Sequence, residues 1–143
     1  MDRRNFIKSS CTFCVAATGL TALTTMLQSC ATIHVFNGTI DNNSITVPLT
    51  ELTDKETLII KSKNTESDIA LVKNKSGEWK ALLMLCTHAS NPIVFNGSAF
   101  MCNVHFSEFN MEGIPKNGPA QKPLKILSTE LKNESIIINI LLA

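Results

Sequence analysis

The sequence lacks the features of several large functional classes. Its 13 Lys+Arg against 12 Asp+Glu give a net charge of +1, without the clustered basic excess that nucleic-acid binding requires. It has no Walker phosphate loop, no dinucleotide-binding glycine fingerprint and no Gly-x-Ser-x-Gly nucleophile motif. After residue 30, no apolar run approaches membrane-spanning length. These absences argue against nucleic-acid partners and leave nucleotide-dependent and serine-hydrolase chemistry without sequence support.

The length and composition predict one globular domain behind a targeting segment. The chain has 143 residues, of which 44% are hydrophobic and 17% charged, proportions that favour a packed core over disorder. Three of its five cysteines fall in the first 30 residues. The Cys11-x-x-Cys14 spacing suggests redox chemistry in other contexts, but here it lies in an apolar leader, so we interpret it as part of that leader.

Residues 1–29 are predicted to be an export signal. A charged start with Arg3-Arg4 precedes a weakly apolar stretch rich in Thr and Ala over residues 9–27, as export signals do. The arginine pair resembles the twin-arginine motif. The ending Leu-Gln-Ser-Cys30 is similar to a bacterial lipobox, in which the chain is cut before Cys30 and its thiol is lipidated. The alternative is an uncleaved membrane anchor. Both predict an exported protein held at a membrane, and the lipobox predicts a bacterial periplasmic lipoprotein.

Residues 30–143 are predicted to form an all-β domain. Short alternating or apolar runs at 44–47, 57–61, 68–73, 78–84, 124–127 and 135–141 indicate strands. The stretch 74–77 reads as a hairpin turn, and residues 50–57 suit a single helical turn. Residues 86–124 hold four of the five prolines and are predicted to be loops on a β base. An antiparallel sandwich or small barrel is expected.

Two short motifs carry the chemistry. Cys86-Thr-His88 and Cys102-Asn-Val-His105 each pair a thiol with an imidazole. The residues between them predict a hairpin with arms 93–95 and 98–101 and a type I′ turn at Asn96-Gly97. Because a hairpin brings its ends together, the two pairs should meet as one four-ligand set. His34 has no partner in the sequence and is expected to be structural or at the surface.

The four residues could hold zinc or a two-iron centre. Zinc is the default for two Cys and two His ligands, but zinc sites usually take Cys pairs and His pairs from separate loops. Here each loop offers one of each, which lets both sulfurs bind one iron and both imidazoles the other, the arrangement of Rieske [2Fe–2S] centres. A zinc-binding lipoprotein stays open as the less favoured alternative.

The surrounding residues resemble the Rieske family over about residues 80–128. The family pattern of Cys-x-His, Cys-x-x-His, a serine, an aromatic, a glycine and a Gly-Pro-Ala run is matched by Cys86, His88, Cys102, His105, Ser107, Phe109, Gly113, Gly118, Pro119 and Ala120. The resemblance implies a Rieske-like β fold with a cluster-binding segment at about 84–124 and a [2Fe–2S] cluster on the two Cys and two His. It also implies a shielding loop at Gly118-Pro119-Ala120.

The chain departs from the family at several positions. Asn91 and Val104 occupy the places of the cysteines that form a bracing disulfide in quinol-oxidising members, and Phe106 replaces a usual glycine. Phe109 replaces a tyrosine that bonds a ligand sulfur, and the chain has no Tyr. Hydrogen bonds to sulfur raise the potential, and Ser107 is expected to donate one. The resemblance therefore implies a potential in the lower to middle part of the Rieske range of about −150 to +300 mV.

The resemblance implies electron transfer between protein partners. The leading hypothesis is a one-electron carrier with a protein donor, a protein acceptor and no small-molecule substrate, and therefore not an enzyme on its own. The alternative is the small subunit of an exported oxidoreductase. A ring-hydroxylating oxygenase component is disfavoured, because such a protein needs a further catalytic iron domain for which 143 residues leave no room.

Overall fold

Short β-strands dominate the chain. The computed structural model describes residues 32–140, and the predicted export signal with Arg3, Arg4 and Cys30 lies outside them. The described elements, in chain order, are β1 (Val35–Asn37), β2 (Ile40–Asp41), β3 (Ser44–Pro48), a 3-10 helix (Leu49–Leu52), β4 (Thr57–Lys61), β5 (Ile69–Lys73), β6 (Trp79–Leu83), β7 (Val94–Phe95), β8 (Phe100–Met101), β9 (Glu108–Phe109), β10 (Pro115–Asn117), β11 (Ile126–Leu127), β12 (Thr129–Lys132) and β13 (Ser135–Asn139).

The strands form three sheets. A five-stranded sheet has the order β1-β4-β5-β6-β11, and a four-stranded sheet has the order β12-β13-β3-β2. A third, smaller sheet runs β10-β9-β8-β7 and consists of two- and three-residue strands. All pairs are antiparallel except β1 with β4. The all-β prediction is confirmed.

The five-stranded sheet is buried on both faces, which explains its unbroken apolar runs. Along β4, Leu58 and Ile60 pack into one hydrophobic cluster while Ile59 packs into a second. The same alternation separates Leu71 from Val72 on the neighbouring strand. Successive side chains of a strand point to opposite faces, so the sheet is the middle layer of the domain.

Each face of the middle sheet supports a different layer. The first cluster includes residues of the β3–β13 sheet, namely Ile45, Val47, Ile136 and Ile138. The second cluster joins the opposite face to Cys86, Cys102, Phe100, Phe109 and Leu124. Burying this much apolar surface is the main stabilising term of the domain. The candidate ligands are thus carried by a small layer seated on a rigid base.

The hairpin between the two Cys/His motifs is present, but its turn differs from the prediction. Phe95 pairs with Phe100, so residues 96–99 form a four-residue loop rather than a two-residue turn. The Asn96 side-chain oxygen accepts hydrogen bonds from the N–H groups of Ser98 and Ala99 at 3.0 and 2.9 Å. A type I′ turn requires positive φ at both central residues, and only Gly97 has one, of 99°. The type I′ prediction is therefore wrong.

Other sequence predictions match closely or in part. The strand predicted at 57–61 has those bounds, and the hairpin around 74–77 joins β5 to β6. The predicted helical turn is a 3-10 helix that starts one residue earlier, at Leu49. The sequence prediction missed β1, β2, β9, β10 and β12. Within residues 32–140, no helix has the length and apolar character needed to cross a membrane.

Candidate metal centre

The first ligand loop begins where β6 runs out. Leu85 bridges to Pro92, and Cys86 lies one residue further on. The Cys86 N–H donates to the Asn91 carbonyl at 2.8 Å, and the Ser90 N–H donates back to the Cys86 carbonyl at 2.8 Å. Ser90 has a left-handed φ of 51°. These bonds close residues 86–91 into a tight loop.

The second ligand loop repeats this frame. The Cys102 N–H donates to the Ser107 carbonyl at 2.9 Å, and the Phe106 N–H donates to the Cys102 carbonyl at 2.9 Å. Phe106 has a φ of 58°. In both loops the cysteine therefore bonds to the residues four and five positions ahead, and the fourth is left-handed. Two equivalent loops thus present two equivalent cysteines.

The two cysteines meet in the interior. Cys86 and Cys102 are 2% and 1% exposed, and both are free thiols. Burial is the largest single influence and raises the pKa of the Cys102 thiol. The backbone N–H groups of His105 and Val104 and the neighbouring Cys86 thiol together lower that pKa by more, so it lies below its usual value. Donors aimed at a sulfur favour its anionic form, which is the form that binds metals.

The two imidazoles also meet, at the surface. The rings of His88 and His105 lie with centroids 4.8 Å apart and planes at 88°. Both residues are exposed. The structure thus shows the four predicted ligands as two pairs, a buried sulfur pair and an exposed imidazole pair.

A third loop, residues 118–123, ties the two ligand loops together. The Thr87 hydroxyl donates to the Lys122 carbonyl at 2.6 Å. The Ala120 N–H donates to the hydroxyl oxygen of Ser107 at 3.2 Å. A side chain on Gly118 would place its Cβ only 2.5 Å from the Ser107 Cα. The predicted shielding loop therefore rests directly on the backbone of the second ligand loop.

The two residues predicted to tune the centre are both fully buried. Ser107 and Phe109 are each 0% exposed. The Ser107 oxygen accepts the Ala120 N–H, which leaves its own proton free to be donated. Phe109 carries no hydroxyl, so it offers an aromatic face without a hydrogen bond.

The chemistry of the donor set fits a two-iron group, with two sulfurs and two imidazoles divided evenly between two loops. Among residues 32–140, the expected convergence is seen within each pair, and no three His, Cys, Asp or Glu side chains are grouped around one metal position. Thiolates and imidazoles are the ligands of iron–sulfur centres in which two His replace two Cys on one iron. Fold and site together define a β-domain iron–sulfur protein.

Comparison with known proteins gives the family. The family model described as Rieske [2Fe–2S] domain matches residues 45–128, more than half of the chain. The chain therefore belongs to the Rieske [2Fe–2S] family. It is accordingly a Rieske-type electron-transfer protein whose cofactor is a [2Fe–2S] cluster.

Two solved structures and one curated protein illustrate the likeness. The plasma-membrane Rieske protein PetC3 from Synechocystis PCC 6803 is 24% identical, with a TM-score of 0.52 over 64% of this chain and 94% of that one. The ferredoxin of carbazole 1,9a-dioxygenase from Nocardioides aromaticivorans IC177 is 19% identical, with a TM-score of 0.45 over 65% and 92%. Carotenoid phi-ring synthase from Chlorobaculum tepidum is 34% identical over 70 residues, which are 48% of this chain but only 11% of that protein.

Sequence reasoning missed one supporting residue and the packing of another. Thr87 lies between two predicted ligands, and its bond to Lys122 spans 35 residues, so no local pattern signals it. Gly118 was assigned to the shielding loop, but its close approach to Ser107 depends on how two distant loops pack.

Proposed function

We propose that this Rieske protein is a one-electron carrier facing the bacterial periplasm, with its cluster bound by Cys86, His88, Cys102 and His105. One observation carries the proposal: two free, buried thiols lie in the same packed cluster, and near them in sequence two exposed imidazoles have ring centroids 4.8 Å apart. Each loop supplies one of each kind. That division matches the ligand distribution of a Rieske centre.

The chain's own residues separate a closed side of the site from an open side. The sulfurs lie among apolar residues that exclude water, including Phe100 and Ala120. The imidazoles lie at the surface, so His88 and His105 are the proposed route by which electrons enter and leave. The cofactor would supply one-electron redox chemistry at this position. No substrate needs to enter the protein for that purpose, which supports a carrier over an enzyme.

Spectroscopy of the purified full-length protein tests the proposal. We expect about two iron atoms and two sulfides per chain, a reddish-brown colour, and an EPR signal from the dithionite-reduced protein. Zinc binding would instead give a colourless protein with about one zinc per chain. Replacement of His34 by Ala is the matched control, because His34 is the remaining histidine and should leave iron content unchanged. A colourless preparation from cells loading other iron–sulfur proteins would refute the carrier.

The location is proposed from the leader alone. Arg3-Arg4 and Cys30 support export by a twin-arginine route and attachment through a lipid. Cell fractionation should find the protein in the periplasmic membrane fraction. Replacing both arginines with Lys should retain it in the cytoplasm, while Cys30→Ser should release it from the membrane fraction with its cluster intact. Unchanged fractionation of both variants would contradict the proposed location.

A second candidate function is that of a small subunit in an exported oxidoreductase. It is favoured by apolar side chains exposed on the second ligand loop, with Val104 at 52% and Phe106 at 71%. Exposed apolar groups that cluster at a site mark protein contacts. Purification in mild detergent separates the candidates. A stoichiometric partner retained through gel filtration indicates a subunit, and a lone polypeptide indicates a carrier.

A further inference from the structure

Phe106 combines two unfavourable features. Its φ is 58°, a left-handed conformation in which a bulky residue is a genuine outlier. The residue is also 71% exposed, the highest value among the exposed large hydrophobic residues in the part of the chain that the structure describes. Glycine would fit the backbone better, and a polar residue would suit the surface better. A bulky apolar residue kept at such a position points to a role outside the fold.

The backbone of Phe106 is fixed by its neighbours. Its N–H is bonded to the Cys102 carbonyl at 2.9 Å, and its carbonyl oxygen lies close to Gly118, 2.7 Å from where a Cβ on that residue would sit. Phe106 directly follows His105 in the second ligand loop. An exposed aromatic residue therefore adjoins one of the two exposed imidazole residues in sequence.

The stretch that carries both ligand loops is also free of charge. Between Lys80 and Glu108 the sequence has no Asp, Glu, Lys or Arg, and the nearest charged residue tied to these loops is Lys122, whose carbonyl accepts the Thr87 hydroxyl. Val104, which precedes His105 in the sequence, is exposed, and so is Pro119 in the loop that packs on Ser107. A partner with a charged contact face would lose hydration here without gaining an opposite charge. The surface therefore suits an uncharged, apolar partner.

We propose that Phe106, together with Val104, is the contact point for a protein redox partner whose own cofactor edge is surrounded by uncharged, apolar residues. This inference rests on the proposed function, because it takes the imidazoles as the electron exit. Burying the ring against the partner would bring the partner's cofactor edge next to His105. Aromatic side chains are common energetic centres of protein interfaces. Association should depend little on salt, since no charge pair is formed.

Stopped-flow electron transfer tests the inference. The full-length protein in detergent is reduced with dithionite, freed of excess reductant and mixed with a blue-copper protein chosen for an apolar, uncharged rim. One electron passes to Cu(II), giving Cu(I), and no atoms are transferred. The variants are Phe106→Gly and Phe106→Asn, because both residues accept a left-handed backbone. Leu131→Ala is the matched control, since Leu131 is 69% exposed but lies on β12.

At equal driving force, we expect both Phe106 variants to slow the second-order rate about tenfold. The wild-type rate should change less than about twofold between 10 and 300 mM salt. Leu131→Ala should match the wild type. The variants should keep the wild-type EPR signal and melt at the same or a higher temperature, since the strained residue has been relieved. A slower electron-transfer rate with unchanged or higher stability of the Phe106 variants would indicate that Phe106 acts in docking and has no structural role.

An equal rate for wild type and both Phe106 variants, with the cluster intact, would overturn the inference. If the variants then also bind neutral phosphatidylcholine vesicles more weakly, the surface is assigned to lipid. This result leaves the proposed function standing, because electron carriage is tested separately by the iron–sulfur spectrum of the wild-type protein.

Discussion

The two ligand loops share one backbone frame but differ in what supports them. In each, the cysteine N–H bonds five residues ahead and its carbonyl accepts the N–H four residues ahead. The histidine comes two residues after Cys86 but three after Cys102. The common frame places the sulfurs alike, and the offset lets each loop reach its own imidazole position. A repeated turn with one shifted side chain is thus enough to sort four ligands into two pairs.

The supports of the loops differ in burial. The first loop is tied to residues 118–123 through the half-buried Thr87. The second is bonded to the same residues through the fully buried Ser107, whose hydroxyl accepts the Ala120 N–H, and its backbone packs closely on Gly118. Lost contacts cost more where water cannot replace them. The second loop should therefore be the more sensitive of the two, although both must be present for the cluster to bind.

Removing either cysteine sulfur should have the largest effect on cluster content. The effect should be equal for the two loops, despite their different sensitivity to other changes. We expect Cys86→Ser and Cys102→Ser each to lose the visible and EPR spectra of the cluster, because both sulfurs are needed. Iron analysis of the purified variants measures this. Cys30→Ser is the control and should keep full iron content. Retained iron in either loop variant would show that the pair is not the sulfur ligand set.

Gly118→Ala should expose the dependence of the second loop on close packing. The new methyl group would meet backbone atoms of Phe106 and Ser107 at 2.5 to 2.8 Å, so we expect a loss of at least about 3 kcal/mol of stability. Gly77→Ala is the control, because Gly77 has a similar φ of 86° but nothing within 4 Å. It should cost only about 1 kcal/mol. Equal costs in chemical denaturation would contradict the packing argument.

Much of the fold was predictable from local patterns, and the failures have physical reasons. The buried strands β4 and β5 were predictable because each is an apolar run bounded by polar turns. The parallel strand β1 does not, because Val35 is half exposed and its partner Ile59 lies 24 residues away with no hairpin between them. Parallel pairs leave no turn signal in the sequence. The type I′ turn predicted at Asn96-Gly97 was wrong for a different, local reason. The Asn96 side-chain oxygen accepts two backbone N–H groups and so favours a longer loop.

The candidate site likewise has features that local patterns predict and features that only long-range packing determines. Its four Cys and His residues were predictable because their spacing is local to each loop. The structure shows their pairing, with both cysteines in one buried cluster and the two imidazole rings together at the surface, and cluster ligation by these four residues stays a prediction. The hydrogen bond from Thr87 to Lys122 and the close packing of Gly118 on Ser107 depend on contacts between distant segments. The spacing of residues in the sequence does not reveal them. Phe106 was visible only as a departure from a family pattern, and its exposure required the structure.

Ser107→Ala should reveal how the buried tie acts on the centre. The change leaves the buried Ala120 N–H without its acceptor and should cost about 1–2 kcal/mol in stability. If Ser107 donates its proton to a ligand sulfur, its loss should also lower the potential by about 20–60 mV, the equivalent of one neutral hydrogen bond for a one-electron couple. A redox titration monitored by EPR measures the shift. Ser76→Ala, in the exposed β5–β6 turn, should change neither quantity, and an unshifted potential in Ser107→Ala would restrict that serine to a structural role.

Thr87→Val should have the smallest effect and complete the comparison of the loops. Valine keeps the shape of Thr87 but cannot donate to the Lys122 carbonyl, which is bonded at 2.6 Å. Because Lys122 is exposed, water can take the place of the lost donor, and we expect a cost of about 0.5–1 kcal/mol with no change in potential. The difference in lost stability between Thr87→Val and Ser107→Ala then measures how much burial adds to the strength of an otherwise similar hydrogen bond. If Thr87→Val proves as costly as Ser107→Ala, the two loops are equally dependent on residues 118–123, and the asymmetry argued from burial is wrong.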